Sequence, residues 1–459
     1  MGIEYDILGL RDLKITDITE KTDFDKGFKV MALAYTGAVP DRCPVCGAPL
    51  YKHGIRHIRV NDTPFQGWPC VLDISVPRYR CRGENEKHIW TPTFADIDEK
   101  HKMTKRALRD ITVRSMRTTF EDTAGDYMMT GRTINNVFVD FIRENTERLR
   151  FKTPQFIGID EIKVKKIGEL TVVTDLEHHT LYDILLGRNQ PSLSKYFMAM
   201  KDRESVLWVC SDMYRPFEKS ISMALPNARW AIDHFHVVMK ANEAVDAVRR
   251  TLQSSMTKME RISTKRGLAY TLKTRAKDLS PEEAIKIRLL RSKPDLKPLA
   301  TAFDLKEDFF NIYDENMSSK DDAQKAFAEW EKSIPEDSLY DKFRELAGTV
   351  HNFYEQIFAY WDCPITISNG YTECMNRLIR ENNLKGRGYS FEVLRARTLY
   401  RRANLSAILE KGLLDTVGPV IQEDKPNFHL DSTKGEDMDE DDEWEPFPDV
   451  DPDTGEILE

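Results

Sequence analysis

The stretch from residue 155 to residue 235 constrains the fold of this chain most strongly. Short runs of apolar and β-branched residues alternate there with helical patterns, in the order β-β-β-α-β-α-β. The connections between the first three strands are too short for crossovers, which predicts an antiparallel meander. The first strand, predicted over Phe156–Lys166, has apolar residues on both sides of Asp160, so both of its faces should be covered. A buried carboxylate is costly unless it is paired or bound to a metal. Glu161 points to the opposite face of this strand, so we expect it to be a structural partner of a nearby lysine or arginine.

This strand order matches the ribonuclease-H-like fold, in which the first strand lies next to the fourth. A first carboxylate lies on the first strand of that fold, and a second one follows the fourth strand. Asp160 and Asp212 occupy these places and are 52 residues apart. Asp233 follows the predicted fifth strand and is the alternative second carboxylate. The fold order favours Asp212, because the fourth strand is the neighbour of the first.

Composition and charge limit the class of protein. The chain of 459 residues is 41% hydrophobic and 31% charged, which is typical of a soluble globular protein with roughly two to four domains. It shows neither a membrane-spanning apolar run nor a signal-peptide pattern, so we expect a cytoplasmic protein without a membrane partner. Residues 431–459 contain fourteen acidic residues and one lysine, which predicts a disordered tail. Without this tail the net charge changes from −9 to +4, which is compatible with nucleic-acid binding.

The cysteines near the N-terminus predict a structural zinc site. The chain has seven scattered cysteines, an odd number that argues against a disulfide framework. Cys43 and Cys46 form a CxxC knuckle, Cys81 follows a predicted strand at Val71–Tyr79, and His88 lies seven residues later. The predicted zinc ligands are Cys43, Cys46, Cys81 and His88, with His53, His57 and Cys70 as substitutes. The alternative is a vestigial finger with free thiols.

Three helices are predicted between residues 104 and 150. They cover Thr104–Thr118, Phe120–Met128 and Thr133–Arg148, and a short glycine-containing turn joins the last two. This arrangement predicts a helix-turn-helix that binds DNA, and an ordinary helical hairpin is the alternative. The residues in the position of base contacts are Arg132, Thr133, Asn135 and Asn136.

A helical, charged region at residues 237–363 is interpreted as an all-α insertion, in which Ser280–Glu283 begins one helix and Leu339–Trp361 forms the last one. A second set of functional residues follows this region. Ile367–Gly370 is predicted to form a turn and cap, and Tyr371–Asn382 a helix with Glu373 in its first turns. A carboxylate that leads a basic helix suits a metal ligand beside bound DNA. The alternative is a capping-box-like glutamate on a solvated basic helix. The basic residues are Arg377, Arg380, Lys385 and Arg387, and Arg395 and Arg397 continue the stretch.

Taken together, these motifs resemble the DDE transposases of bacterial insertion sequences, of the ISL type with a zinc finger and a helix-turn-helix. The resemblance covers about residues 40–405. Its motifs are Cys43–Cys46 with Arg78–Cys81, Gly158–Glu161, Ser211–Pro216, Leu225–Ala228 with Asp233–Val237, and Ser368–Gly370 with Glu373 and Asn376. One departure is that residues 82–88 contain no second cysteine pair, so that either His88 substitutes or zinc is weak or absent.

The resemblance implies a mechanism and its partners. Asp160, Asp212 and Glu373 would hold two Mg²⁺ ions, or Mn²⁺, for cleavage of the element ends and transfer of the strand to target DNA. Asp233 and His236 resemble the Cys-x-x-His element of related transposases and would have an accessory role. The expected partner is double-stranded DNA, namely the terminal inverted repeats and the target, bound by a homodimer. The alternative function is a catalytically inactive, transposase-derived regulator that binds DNA.

The predicted fold class is multidomain α+β. A ribonuclease-H-like α/β catalytic core is interrupted by the all-α insertion, and smaller modules precede it. The predicted domains are an N-terminal β module with a zinc-finger-like region at 1–95, a helix-turn-helix at 96–150, the catalytic core at 151–236 and 364–405, the insertion at 237–363, and a C-terminal segment with the acidic tail at 406–459.

Overall fold

A computed structural model describes residues 10–23, 26–82, 88–145, 151–254, 268–313, 317 and 319–400. The predicted acidic tail therefore lies outside the described residues. The described chain divides into two compact units, one formed by residues 10–230 with 367–400 and the other by residues 231–366. None of the described helices is both long and apolar enough to cross a membrane.

The first unit begins with a β-sheet, which we call the β module. In the described residues its strand order is β1-β2-β4-β3-β7-β6, and β5 pairs with β4. The strands are β1 Leu13–Asp23, β2 Lys26–Tyr35, β3 Leu50–Phe65, β4 Trp68–Cys81, β5 Ile89–Trp90, β6 Ile97–Asp98 and β7 Met103–Thr104. Strand β4 alternates between buried and half-buried side chains, and Leu72, Ile74 and Val76 on its inner face are fully buried. The predicted strand at Val71–Tyr79 is confirmed, with longer bounds.

Three helices follow the β module. They are α1 Lys105–Ser115, α2 Phe120–Tyr127 and α3 Gly131–Asn145. The Thr104 side chain accepts a hydrogen bond from the Ala107 N–H and thereby begins α1, as predicted. Ile134, Val137 and Phe138 of α3 recur at helical spacing and are buried. Helix α3 begins two residues earlier than predicted, and its predicted end at residue 148 lies outside the described residues.

A second sheet follows, with strand order β10-β9-β8-β11-β12. Its elements are β8 Phe156–Val164, β9 Gly168–Asp175, β10 Thr180–Leu186, α4 Gln190–Met198, β11 Trp208–Ser211, α5 Arg215–Ala224 and β12 Arg229–Ile232. Strands β8, β9 and β10 form an antiparallel meander, and β11 runs parallel to β8. The predicted element order and the neighbouring positions of the first and fourth strands are confirmed. The first compact unit ends at residue 230, within β12.

The second unit is helical throughout its regular elements that the structure describes. These are α6 His234–Ser254, α7 Pro281–Ser292, α8 Lys297–Asn311, α9 Lys320–Ser333, α10 Asp341–Asn352 and α11 Tyr354–Phe358, with short 3₁₀ turns between them. Ser280 and Glu283 form a capping box that begins α7. The prediction of one continuous element from Leu339 to Trp361 is wrong. The chain leaves the helical conformation at Phe353, with φ −126° and ψ 31°, and divides the segment.

The chain then returns to the first unit and forms two helices, α12 Gly370–Lys385 and α13 Phe391–Tyr400. Met375 and Ile379 of α12 share an apolar core with Ile162 and Val164 of β8. Because Ile162 and Val164 alternate with outward residues, α12 covers the β8 face that also carries Asp160. This packing brings the beginning of α12 to the middle of the second sheet.

Candidate functional site

Asp160 lies in the middle of β8 and is only 8% exposed. Its Oδ1 accepts a hydrogen bond from the Glu161 N–H at 2.8 Å, and its Oδ2 accepts one from Asn376 Nδ2 at 2.7 Å. Gly158 permits the close approach of α12, because a Cβ at this position would lie 2.7 Å from Asn369 Oδ1. The same Cβ would lie 2.5 Å from Thr174 Oγ1. Two hydrogen bonds from the protein therefore hold the Asp160 carboxylate, and the glycine at position 158 leaves the space that Asn369 of the α12 cap requires.

Three asparagines, spaced seven residues apart, attach α12 to β8. Asn369 Nδ2 donates to the Ile159 carbonyl at 2.9 Å, and Asn383 Nδ2 donates to the Lys165 carbonyl at 3.1 Å. Asn376, between them, binds Asp160. Seven residues correspond to two helical turns, so the three amides lie on one face of α12. The heptad spacing of these asparagines is visible in the sequence, but their attachment to β8 was not predicted from it.

The predicted cap is confirmed in position, because Asn369 is the N-cap residue of α12. The Asn369 side chain makes no capping hydrogen bond, because its amide donates to β8 instead. Glu373 therefore forms no capping box with Asn369. Glu373 is half-buried and lies four residues after Asn369 and three residues before Asn376. Residues at these spacings are neighbours on a helix surface, so Glu373 lies beside the amide that holds Asp160.

Asp212 directly follows β11, the strand next to β8. Strand β11 pairs with β8 through Trp208 with Phe156, Val209 with Ile157 and Cys210 with Gly158, which is a constant offset of 52 residues. An extension of this register beyond the end of β11 at Ser211 would bring Asp212 opposite Asp160. Asp212 is half-buried, and its Oδ1 accepts a hydrogen bond from the Tyr214 N–H at 3.2 Å.

The buried Asp233 and the half-buried His236 face each other at the beginning of α6 in the second unit. Asp233 is fully buried, and its Oδ2 lies 4.0 Å from His236 Nε2. Neither atom has a hydrogen-bond partner among the described residues. Burial lowers the pKa of the adjacent His234, so this imidazole stays neutral and does not compensate the Asp233 charge. A buried carboxylate in this state is suited to a cation or a donor from a bound molecule.

The neighbour of Asp160 has a different role, as the alternation of side chains along the strand predicted. The Glu161 carboxylate forms an ion pair with Arg188, with 2.6 Å between Oε2 and Nη1. This confirms that Glu161 is a structural partner of an arginine on the opposite side of β8.

The predicted DNA-contacting side chains lie mostly on the surface. Arg132, Thr133 and Asn136 of α3 are exposed and Asn135 is half-buried. The four basic residues in and after α12 are exposed: Arg377, Arg380, Lys385 and Arg387. Two further arginines are structural instead. Arg395 Nε donates to Asp183 at 2.6 Å, and the buried Arg397 donates to the carbonyl groups of Ser115 and Thr118.

Three of the four predicted zinc ligands come together in the β module. The Sγ atoms of Cys43, Cys46 and Cys81 all lie within 4.8 Å of one another, and those of Cys46 and Cys81 are 3.6 Å apart. Two thiolates on one tetrahedral Zn²⁺ ion would be about 3.8 Å apart. The donor set and its spacing therefore fit a structural Zn²⁺ ion.

The remaining zinc candidates behave differently. The His88 ring is not part of this group, and His88 instead donates its backbone N–H to Cys81 Sγ at 3.1 Å. Residues 83–87, which lie between them, are outside the described residues. His57 pairs with Asp73, with 3.0 Å between Nδ1 and Oδ1. Cys70 lies in the apolar core, where burial raises its thiol pKa to about 12. Neither His57 nor Cys70 thus acts as a substitute ligand.

Comparisons with known proteins find relatives for two parts of the chain. A family model described as a transposase matches residues 157–398, and a model described as the zinc-finger of transposase IS204/IS1001/IS1096/IS1165 matches residues 40–83. The chain is 28% identical over 245 residues to the transposase for insertion sequence element IS1557 of Mycobacterium tuberculosis, in strains CDC 1551 / Oshkosh and ATCC 25618 / H37Rv. The alignment covers 50% of this chain and 53% of each relative. The chain thus spans about half the length of the curated relatives it matches.

Proposed function

The chain belongs to the ISL3-type DDE transposases with a zinc finger, and we propose that it binds insertion-sequence ends and catalyses metal-dependent DNA cleavage and strand transfer. The observation that carries this proposal is the constant offset of the β11 and β8 pairing, which supports a position of Asp212 near Asp160 if the register continues beyond Cys210 and Gly158. The strand order of the second sheet supports a ribonuclease-H-like catalytic core.

We assign the catalytic carboxylates to Asp160, Asp212 and Glu373. Their hard oxygen donors suit Mg²⁺ or Mn²⁺, and such ions activate a water or hydroxyl nucleophile and stabilise the leaving oxygen. The protein supplies the positioning. Asn376 donates to Asp160 Oδ2 and thereby fixes the orientation of this carboxylate before DNA binds. No serine or tyrosine nucleophile is needed, because the attacking oxygen comes from water or from the DNA 3′ end.

Asp233 and His236 have an accessory role in this proposal. Their facing atoms are buried and lack hydrogen-bond partners among the described residues, which suits a pair that braces the site or positions the scissile strand. The same observation keeps Asp233 as the alternative second carboxylate. Strand register favours Asp212, and the experiment below separates the two.

DNA binding is assigned to two surfaces of the first unit. Helices α2 and α3 are proposed to form a helix-turn-helix, with Arg132, Thr133 and Asn136 exposed at the beginning of α3 and Asn135 beside them. The second surface consists of the exposed arginines and lysines in and after α12, which follow Glu373 in the sequence. The proposed partners are the terminal inverted repeats and target DNA. A homodimer on DNA is proposed because transposition joins two element ends.

The Cys43, Cys46 and Cys81 cluster supports a structural Zn²⁺ ion in the β module. We propose that His88 supplies the fourth ligand after a rotation of its side chain, since its backbone already contacts Cys81. This ion would contribute folding free energy and take no part in the chemistry.

The alternative, an inactive regulator that binds DNA, is not favoured. A protein that only binds DNA has no need for a buried Asp160 held by Asn376, and the carboxylates at positions 212 and 373 would serve no purpose in it.

The test uses the full-length protein, Mg²⁺ and duplex oligonucleotides that cover the DNA flanking its gene. We expect the unsubstituted protein to nick this DNA, Asp212→Ala to lose nicking and Asp233→Ala to retain part of it. The reverse ranking would transfer the second-ligand role to Asp233. If the unsubstituted, folded protein binds this duplex but does not cleave it, the inactive regulator is correct.

A further inference from the structure

The end of α12 folds back on the turn between β8 and β9. Asn383 donates to the Lys165 carbonyl at 3.1 Å and accepts the Tyr389 N–H at 3.1 Å. Gly388 adopts φ +96°, which favours glycine, and a Cβ at this position would lie 2.8 Å from Lys166 Cδ. Lys166 Nζ donates to the Arg387 carbonyl at 3.0 Å. The loop at 386–388 and the turn at 165–167 are thus fastened to each other at several points.

This fastening concentrates positive charge at one place, which we call the basic junction. Its members are Lys165, Lys166, Lys385 and Arg387, and all four are exposed. In the part of the chain that the structure describes, none of them forms an ion pair with a carboxylate. Even the exposed Glu381, one helical turn before Lys385, is not within ion-pair distance of it. Four like charges held close together repel one another, and a bound polyanion relieves this repulsion.

The basic junction lies at a defined distance from the carboxylates. Lys165 follows Asp160 by five residues along β8 and its turn, which corresponds to about 16 Å at 3.3 Å per residue. Lys385 follows Glu373 by twelve residues along α12, which corresponds to about 18 Å at 1.5 Å per residue. Helix α12 runs in the same direction as β8, as its asparagine contacts at residues 159, 160 and 165 show. Both routes therefore give a similar separation.

Between these ends, the surface of α12 remains basic. Arg377 and Arg380 follow Glu373 by four and seven residues, so all three lie along one stripe of the helix. Both arginines are exposed. Two exposed arginines thus lie between the carboxylates and the basic junction, with the single acidic residue Glu381 among them, and this extended row of charge matches a nucleic-acid backbone rather than a small anion.

We propose that the basic junction anchors phosphates of duplex DNA about five base pairs from the bond that the carboxylates cleave. The figure follows from the separation above and from the rise of about 3.4 Å per base pair in B-DNA. Lysine and arginine contacts to phosphates fix the position of the duplex without reading its sequence. This proposal rests on the DNA binding proposed above for the residues in and after α12, and the position relative to the cleaved bond rests on the proposed cleavage.

The first experiment measures how the affinity depends on salt. The double variant Lys165→Ala/Lys385→Ala removes two charges and leaves the Lys166 and Arg387 backbone contacts in place. The matched control is Lys195→Ala/Lys219→Ala, which removes two exposed lysines from α4 and α5 of the same unit. With a duplex of the flanking DNA, we expect the slope of log K against log salt to become shallower by up to about 1.8 in the junction variant. The control should keep the slope of the unsubstituted protein.

Equal slopes in the junction variant and the unsubstituted protein would overturn the proposal. Equal losses in the junction variant and in the control would also overturn it, because a general charge effect would then suffice. Circular dichroism and thermal unfolding of both variants verify that they are folded.

The second experiment locates the contact. Ethylation of individual phosphates should interfere with binding of the unsubstituted protein about five nucleotides from the nicking site, and this interference should disappear in the junction variant. An unchanged interference pattern contradicts the proposal. If no DNA is nicked at all, the proposed function fails, yet the difference in salt slope still decides whether the basic junction binds DNA.

Discussion

Two regions of this protein gather ligand side chains from distant positions, and they do so differently. In the β module, Cys46 and Cys81 are 35 residues apart, and their sulfur atoms lie against each other. In the second sheet, Asp160 and Asn376 are 216 residues apart, and a hydrogen-bond donor faces the carboxylate. The first region collects groups of the same kind, and the second pairs an acceptor with a donor.

This difference is the one expected between a structural metal site, whose ion stabilises the fold, and a catalytic metal site, whose ion takes part in the reaction. Three neighbouring thiolates repel one another unless a cation lies between them, so their arrangement depends on the ion. Asp160 receives hydrogen bonds from Glu161 and Asn376, so its position does not depend on an ion. We therefore expect metal removal to destabilise the β module. At the second sheet, metal removal should abolish DNA nicking without unfolding the sheet.

The largest effect is expected from Asp160→Asn. This change removes a charged ligand but keeps an oxygen that accepts the Asn376 hydrogen bond, so the fold should persist. Nicking of the flanking DNA in Mg²⁺ should fall by roughly a thousandfold or more, which corresponds to several kcal/mol of lost transition-state stabilisation. Gel-shift binding and thermal unfolding should remain close to those of the unsubstituted protein.

The adjacent Glu161→Gln provides the matched control for this prediction. Glu161 lies on the other side of β8 and pairs with Arg188, whose side chain is 43% exposed. The Glu161 side chain is 19% exposed, and a glutamine keeps an oxygen that can accept from Arg188, so nicking should change less than about tenfold. Full nicking by Asp160→Asn would remove Asp160 from the site, and a loss of folding would show that Asp160 is structural, like the cysteines.

The second effect concerns the β module. The purified protein should contain about one zinc ion per chain, and Cys81→Ser should contain little. Loss of the ion should destabilise the module by several kcal/mol, measured as an earlier unfolding transition. Cys70→Ala is the control from the same strand, and its zinc content should stay near that of the unsubstituted protein. No zinc in the unsubstituted protein would support a vestigial finger and remove the contrast between the two regions.

The smallest effect tests packing around Asp160. Gly158→Ala should destabilise the first unit by about 1–3 kcal/mol, because its Cβ would overlap Thr174 and Asn369. Gly125→Ala in α2 is the control, since nothing lies within 4 Å of its added Cβ, and it should stabilise the protein by about 0.5–1 kcal/mol. Urea unfolding measures both. A neutral Gly158→Ala would mean that α12 is not held tightly against β8.

Much of the fold followed from local patterns. The order of strands and helices between residues 155 and 235, the Thr104 cap and the Ser280 capping box were readable because each depends on residues close in sequence. The role of Glu161 was readable for the same reason, since alternation along a strand decides which face a side chain takes. The predicted helix from Leu339 to Trp361 was wrong because the backbone leaves the helical conformation at Phe353, although the helical pattern of apolar residues continues in the sequence.

Side-chain partners were harder to predict. Asn369 has the features of a helix cap, and Arg395 and Arg397 have those of a DNA-binding surface. Each of these side chains instead binds a partner more than 200 residues away in the sequence. Local propensity contains no information on such partners. The heptad spacing of Asn369, Asn376 and Asn383 was visible, but its meaning required the position of β8.

The sequence by itself determined the elements, the CxxC knuckle and the candidate carboxylates, because hydrophobic periodicity and short motifs act over a few residues. Only the tertiary structure decided which residues meet. The 52-residue register of β11 on β8, the stripe of amides between α12 and β8, and the basic junction all depend on contacts between distant segments. Such contacts are fixed when the buried faces pack together and every buried polar group finds a partner.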